Sequence, residues 1–316
     1  MELTNVELNQ VMSLDGKVEA TKAIIKEWAE HFGENKCYVS FSGGKSSVVL
    51  LHIVRELYPN TEAVFIDTGI EYPEVVQFVK TFDNLNIIKP KMTFDKIVQE
   101  HGWPVVNTEI SQRVWEARNG AQSALDSMHG CRKDKNGNIV ARYNYSSWEF
   151  LLDAPFKICH KCCVILKKKP LLDYYRKTKK VPIVGTLASS SRLRGQSYMR
   201  NGCNSYESKV PKSAPLSFWN EQDVMNYIKS NNIKVCPLHG FITTVQGQLV
   251  FSNFNRTSCM FCGYGVHTEK CPNRFQRLKK VHPEQWDYII NQLGMSKVLD
   301  YIGVSYKNKK GLLGGI

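Results

Sequence analysis

The chain is expected to fold as an α/β protein whose parallel sheet is covered on both faces. Three observations predict this. Short β-rich apolar runs alternate with amphipathic helical stretches between residues 37 and 102. The first run enters its helix through the glycine turn SGGKSS, residues 42–47. A later apolar run, KVPIVGTL (180–187), returns to the sheet.

In order, residues 1–35 read as an amphipathic helical segment, with Val18, Ile24, Ile25 and Trp28 at helical spacing. CYVSF (37–41) is a strand and SVVLLHIVRELY (47–58) a helix. TEAVFIDTG (61–69) is a buried strand ending in a turn, and PEVVQFVKTF (73–82) the next helix. NIIKP (86–90) is a third strand, FDKIVQEHG (94–102) a further helix. Such connections form right-handed crossovers. The pattern weakens between 105 and 150, where RKDKNGN (132–138) is a polar turn. NEQDVMNYIKSNN (220–232) is a helix, 233–275 is loop-rich with a hairpin around Gly247, and RFQRLKKVHPEQWDYIINQLG is helical. The expected organisation is a helical segment 1–35, a nucleotide-binding α/β domain 36–232, and a cysteine-rich, partly helical C-terminal region 233–316.

Composition narrows the class. The 316 residues, 42% hydrophobic and 22% charged, suit a globular enzyme able to bury a large core. No apolar stretch reaches membrane-spanning length and MELTNVELNQ is no signal peptide, so a cytoplasmic location without a membrane partner is expected. A net charge of +13, with lysines clustered at 166–170, 176–180, 277–280 and 306–310, reads either as solvated helix faces or as a surface for nucleic acid or a polyanionic nucleotide.

In a strand–loop–helix unit, glycines admit a phosphate close to the backbone and several N–H groups can point at it. The helix start adds its positive dipole end. Here Ser40, Ser42, Gly43, Gly44, Lys45, Ser46 and Ser47 are the candidate phosphate-binding residues, with Lys45 neutralising charge. The loop is not a Walker A loop, because Val39 stands where that motif needs its first glycine.

SFSGGKSS resembles the SGGxDS pyrophosphate loop of the adenine-nucleotide α-hydrolase superfamily, the ATP pyrophosphatases. FIDTGIEYPEVVQF resembles the second motif of the phosphoadenosine-phosphosulfate (PAPS) reductase family within it. The resemblance covers most of residues 35–290 and implies a Rossmann-like doubly wound sheet, with the nucleotide (ATP, APS or PAPS) at the strand ends. Ser46 stands where pyrophosphatase relatives usually carry aspartate, which leaves Asp67 as the acidic candidate for Mg²⁺ or substrate, followed by Thr68 and Gly69. GTLASSSRLRG (185–195) aligns with the family's G-x-R-A-x-E-S-x-x-R segment: Gly185, Ser191 and Arg194 match, while Leu187 and Ser190 depart. Arg192, Arg194 and Arg200 are candidate phosphate or sulfate ligands. PLSFWNEQDVMNYI (215–228) resembles a structural helix in which Trp219 packs and Asp223 caps or pairs.

Eight of the ten cysteines lie between 159 and 271. In a chain without a secretion signal this favours a metal site or redox chemistry over disulfides. CHKCC (159–163) and CMFC (259–262) could together close a four-thiolate site, holding zinc or an iron–sulfur cluster. KCCVILKKKPL resembles the double-cysteine segment of bacterial adenylyl-sulfate (APS) reductases, which implies a [4Fe–4S] cluster on Cys162, Cys163, Cys259 and Cys262. Zinc is the alternative metal, and Cys159 or Cys271 the alternatives to Cys162. Cys203 and Cys236 read as buried free thiols.

Two chemistries are expected to compete. Reduction of APS or PAPS to sulfite needs a mobile thiolate, usually in the family's C-terminal tail, and the last 45 residues here contain no cysteine. Activation of an acceptor by adenylation, with pyrophosphate leaving through the Lys45 loop and sulfur then displacing AMP, is the favoured reading; Lys45 and Asp67 are its catalytic candidates. The combination resembles the ATPases of DNA phosphorothioation and some tRNA-thiolation enzymes, which implies a nucleic-acid acceptor and a sulfur donor or electron-transfer protein as partners. Oligomer formation is left open. Ser46, Leu187 and Ser190 also allow a third reading, a non-catalytic nucleotide-binding or sensing protein.

Overall fold

The computed structural model describes residues 12–257 and 259–307. The chain divides into two compact units, both discontinuous in sequence: residues 1–90 with 167–258, and residues 91–166 with 259–316.

The first unit contains a six-stranded sheet: β1 (Cys37–Ser40), β2 (Glu62–Ile66), β3 (Leu85–Ile88), β4 (Val181–Val184), β5 (Asn204–Ser205) and β6 (Lys212–Ser213). Their spatial order is β3-β2-β1-β4-β6-β5. All neighbours pair in parallel except β5, which runs antiparallel to β6 at one edge. The α/β class is therefore as expected, with two short strands, β5 and β6, too brief to give a periodic signal. The order reverses at β1, whose neighbours are β2 on one side and β4 on the other. That reversal is the switch point at which open α/β sheets bind ligands, at the carboxyl ends of the strands.

Helices lie on both sheet faces. The helix Lys169–Thr178 sets Leu171 and Tyr174 against Tyr38, Val64 and Ile88. On the opposite face Val39 and Ala63 are fully buried. The helices Leu14–Phe32, Lys45–Leu57 and Glu221–Ser230 pack on one another. Lys45–Leu57 is rich in β-branched residues, which cost a few tenths of a kcal/mol each in a helix (at most ~0.7). Burial of Val48–Leu51, Ile53 and Val54, at roughly 1.5–3 kcal/mol per side chain, outweighs that preference. A hairpin, β7 (Ile242–Val245) with β8 (Gln248–Phe251), turns at Gln246-Gly247, as the sequence suggests.

Two polar groups tie this unit together. Lys17, almost fully buried, pairs with Asp223 at 2.7 Å, and Asp223 also closes the capping box of its helix with Asn220. Trp219 is buried and its Nε1–H donates to Thr21 Oγ1 at 2.9 Å. At the opposite end of the sheet from the strand carboxyl termini, Glu62 accepts from Lys180 Nζ, Tyr174 Oη and Asn86 Nδ2, at 2.7, 2.7 and 2.9 Å.

The second unit has no sheet among its described residues. Its helices are Phe94–His101, Thr108–Arg118, Gln122–Met128, Arg274–Val281, Pro283–Asp287 and Met295–Tyr301. Two of them lie in the weakly patterned stretch 105–150. The helix Thr108–Arg118 is nonetheless properly started, since Asn107 Oδ1 accepts from Ile110 N at 2.8 Å. Its polar surface face obscures the apolar period. Among the described residues no helix is long and apolar enough to cross a membrane.

Burial raises the Glu62 carboxyl, but its three donors outweigh that effect and hold its pKa below the ordinary value. Its contribution to stability is thus complete above the ordinary carboxylate range and is lost as pH falls through that range to the depressed folded value. Lys180→Met should cost about 1–2 kcal/mol at neutral pH, reduced from the fully buried case by partial exposure. Urea melts at pH 7 and pH 3 check this: the difference between variant and parent should shrink at the lower pH.

Candidate functional site

The carboxyl end of β1 opens into Phe41-Ser42-Gly43-Gly44, and the helix begins at Lys45. Gly43 has φ +71°, and a Cβ there would lie 2.7 Å from Val79 Cγ1, so both backbone and space require glycine. Ser47 fastens the turn. Its hydroxyl donates to Gly44 O at 2.8 Å and accepts from Ser42 N at 3.2 Å, with Ser42 Oγ 3.1 Å away. Ser40 ends the strand half-buried, Ser42 is exposed and Ser46 is half-buried. Gly185, just beyond β4, lies against the same turn: a Cβ would meet Ser46 O at 2.8 Å. The candidate loop and Gly185 thus meet at the switch point.

Lys45 is buried but its ammonium is not idle. Nζ lies 3.1 Å from Glu221 Oε2 and 5.9 Å from the centroid of the Phe251 ring. Arg256 reaches the other oxygen of Glu221 at 3.6 Å. Arg194 lies on the helix Arg192–Asn201, where desolvation and, to a lesser degree, the like charge of Arg256 press its guanidinium below its ordinary value. Its NH1 donates to Ser190 Oγ at 2.6 Å, and its backbone N–H donates to the helix-capping Ser191. Lys45 and Arg256 therefore hold one carboxylate between them, and Thr257 Oγ1 comes within 3.4 Å of where a Gly44 Cβ would stand. Arg192 sits exposed on the first turn of the helix Arg192–Asn201, and Arg200, in its last turn, donates to Gln196 O. Glu221 and Arg256 were not anticipated. Their only signal is position: Glu221 is the first residue of the PLSFW helix and Arg256 follows the hairpin.

Asp67 stands at the carboxyl end of β2. It accepts from Gly69 N at 3.1 Å and lies 3.7 Å from Lys89 Nζ. Thr68 is buried and gives both its N–H and its hydroxyl to Glu71, at 2.9 and 2.7 Å. The DTG turn is therefore a rigid Asx turn buttressed by Glu71. Lys45 and Asp67 share the carboxyl edge of the sheet but take different partners.

In the second unit, one extended segment organises the cysteines. Trp103 pairs in parallel with Ile158, exchanging bonds with Lys157 O (2.9 Å) and Cys159 N (2.8 Å). Three residues on, Val106 pairs with Tyr264, and Gly265 N donates to Val106 O at 2.7 Å. Residues 103–106 therefore hold CHKCC through one end and CMFC through the other. Tyr264 Oη donates to Cys159 O at 2.6 Å, and Cys262 N to Cys259 O at 3.2 Å. Gly263 lets the strands close, since a Cβ would fall 2.1 Å from Pro104 O.

Cys162 is buried, and its thiol is pushed far up by desolvation first and then by Cys163, Cys262, Cys159 and Cys259. Four thiols thus lie within electrostatic reach of a fifth. The backbone N–H groups of Lys161 and Cys162 face the Cys159 sulfur and partly offset the rise that burial causes there. Among the described residues no three His, Cys, Asp or Glu side chains surround a common point as ligands of a single ion. Cys159 and Cys162 are buried and Cys163, Cys259 and Cys262 half-buried, and their sulfurs are donors of the soft type that thiolate-bound centres use. Cys271 is exposed.

A mostly parallel sheet with a glycine loop and a buried lysine at its switch point defines a nucleotide-binding α/β protein. The chain belongs to the phosphoadenosine phosphosulfate reductase domain family, whose model matches residues 36–134 and 128–243. It is 24% identical over 281 residues to an uncharacterized protein of Methanocaldococcus jannaschii, covering 86% of this chain and 52% of that one. The chain thus spans about half the length of that relative. It is 24% identical over 221 residues to an adenosine 5'-phosphosulfate reductase of Bacillus cereus, covering 68% and 72%. Among solved structures it is similar to a phosphoadenylyl-sulfate reductase from Candida auris, with 15% identity, 81% and 98% coverage and a TM-score of 0.41. It is also similar to the U34-tRNA thiolase NcsA of Methanococcus maripaludis, with 14% identity, 96% and 86% coverage and a TM-score of 0.35.

Burial raises the Cys37 thiol to about 11 and the Cys203 thiol to about 12. Only ~10⁻³ or less of either is thiolate at pH 8, and the thiolate is the nucleophile. Timed iodoacetamide labelling at pH 8 with peptide mapping should therefore modify exposed Cys131 well before Cys37 and Cys203. Gly43→Ala should cost about 1–3 kcal/mol through backbone strain and the Val79 clash. Thermal melts measure that loss, and the variant should also bind pyrophosphate more weakly.

Proposed function

We propose that this chain is an adenine-nucleotide enzyme that activates an acceptor by adenylation, releases pyrophosphate, and then lets sulfur displace AMP. The observation that carries this reading is Lys45, buried at the head of the loop helix and paired, with Arg256, to Glu221. An acceptor oxygen attacks the α-phosphorus of ATP and gives up its proton, and the bond to the bridging oxygen breaks. Pyrophosphate leaves with that electron pair. The first-turn N–H groups of the loop helix and Lys45 stabilise the charge gathering on the leaving group, and the arginines hold its outer oxygens. Asp67, Thr68 and Gly69 line the adjoining strand end, where the Asp67 carboxylate can hold Mg²⁺. A sulfide-class nucleophile then bonds to the activated atom of the acceptor, and AMP leaves with its oxygen.

Cys162, Cys163, Cys259 and Cys262 are the residues proposed to hold a [4Fe–4S] cluster, which when bound supplies a thiophilic, redox-active centre. Cys159 is the substitute ligand, since it lies within the same group. The chain's own contribution there is to tie the segments that carry the thiols to residues 103–106 and to bury Cys162.

A second reading, reductive release of sulfite from an adenylyl sulfate, is supported by the relatives named adenosine 5'-phosphosulfate reductases. Incubation with α-labelled ATP and, separately, with ³⁵S-labelled APS and PAPS separates the two. AMP with pyrophosphate is expected from the first; sulfite without AMP formation from ATP would move the assignment to the second. ADP formation, or tight binding without turnover, would overturn both. Lys45→Ala should lower pyrophosphate release roughly 10²–10³-fold, as loss of one preorganised donor does. Anaerobic purification should yield a brown protein with broad absorbance near ~400 nm that Cys162→Ser and Cys259→Ser diminish. A colourless protein with stoichiometric zinc would refute the cluster.

A further inference from the structure

The second unit carries a feature that the nucleotide site does not use. Trp115, on the helix Thr108–Arg118, is 42% exposed, at the edge of the face that Ile110, Ser111 and Val114 bury. A lone exposed tryptophan would need no explanation. This one borders a cleft of about 280 Å³ whose other wall is the segment Lys157–Lys161. Lys161 Nζ lies 5.2 Å from the ring centroid, and the His160 ring is tilted against it at 5.1 Å. Lys157 and His101 add two further basic side chains to the lining, and Glu100 is its one carboxylate.

Both walls are held in place. Pairing of Ile158 with Trp103 fixes the lysine-bearing segment. Arg118, one turn from Trp115, donates to the carbonyls of Leu151, Leu152, Ala154 and Phe156 at 2.6–2.9 Å, so its fork is committed to the scaffold. The lysines are exposed, and so is the ring. The cleft therefore combines a fixed aromatic platform with mobile cations on a rigid frame, in a chain of net charge +13. An aromatic face accepts any base by stacking, and flanking lysines accept the phosphates on either side. A duplex has no unstacked base to offer, and a run of acidic side chains such as polyglutamate matches the cations but leaves the Trp115 ring unused.

We infer that the cleft between Trp115 and Lys157–Lys161 binds single-stranded nucleic acid, one base stacking on Trp115 and the adjoining phosphates pairing with Lys157 and Lys161. The wall segment continues directly into Cys162 and Cys163, so the same peptide would present the strand and carry two of the proposed cluster ligands. Identifying this strand as the sulfur acceptor rests on the sulfur-transfer reading; the binding surface does not.

The test uses the full chain and fluorescently labelled 12-nucleotide single strands of RNA and of DNA, with a DNA duplex and polyglutamate as comparisons, read by anisotropy. Trp115→Ala should weaken single-strand binding roughly 5- to 100-fold, as removal of a stacking platform does. Trp115→Phe should restore most of it, and Lys161→Gln should reduce the salt dependence by about one phosphate contact. The RNA and DNA arms decide which strand is preferred. Equal binding by Trp115→Ala and the unaltered chain overturns the proposal. So does duplex or polyglutamate binding that is as tight as the single strand's and falls equally with Trp115→Ala. Trp115-dependent binding in a protein that forms no AMP from ATP would leave the surface standing and remove the sulfur-transfer reading. AMP formation without Trp115-dependent binding would do the reverse.

Discussion

Parallel pairing of β1 with β2 on one side and β4 on the other is the constraint on which the first unit depends. Because all three strands run the same way, Ser40, Ile66 and Val184 end at one edge. The loop after β1, the DTG turn after β2 and Gly185 after β4 therefore emerge side by side. Antiparallel pairing would have sent Asp67 or Gly185 to the far end. The register matters too, since Gly185 meets Ser46 at a distance that no side chain could occupy.

Charge balance at that edge is the second organising fact. Two cations and one carboxylate are gathered from elements far apart in sequence, and Glu221 stands between Lys45 and Arg256 as a resident anion. Its helix is held independently of this role. Asp223, two residues on, caps the helix and pairs with buried Lys17, and Trp219 anchors its approach to Thr21. The carboxylate is thus positioned by a packed helix rather than by the cations it touches. An incoming polyanion would exchange one set of charge-assisted contacts for another, with no bare cations to desolvate.

The cysteines are ordered by a different device. Cys162 and Cys163 open a helical stretch, whereas Cys159 and the residues just after CMFC take their path from bonds to the backbone of residues 103–106. Backbone bonds supply direction, Gly263 permits the close approach, and burial around Cys162 supplies a desolvated spot. Short bridges of this kind explain why a unit without a sheet among its described residues can still bring together cysteine-bearing segments distant in sequence.

Much of this was legible in the residues themselves. Apolar runs, the glycine turn and the DTG and PLSFW segments carry strong local signals, because burial between helices and the need for positive φ restrict residue choice. The α/β class, the loop, the hairpin at Gly247 and the roles of Trp219 and Asp223 followed from them. The short strands β5 and β6 and the helices within 105–150 were hidden, the former by brevity and the latter by polar faces. By itself the sequence determined which residue types could bind phosphate or metal and on which local elements they ride. Only the tertiary structure decided that Lys45 turns to Glu221, that Arg256 joins Arg194, and that residues 103–106 bridge the two cysteine groups. Those choices depend on contacts between segments tens of residues apart or more, where no spacing rule along the chain can reach.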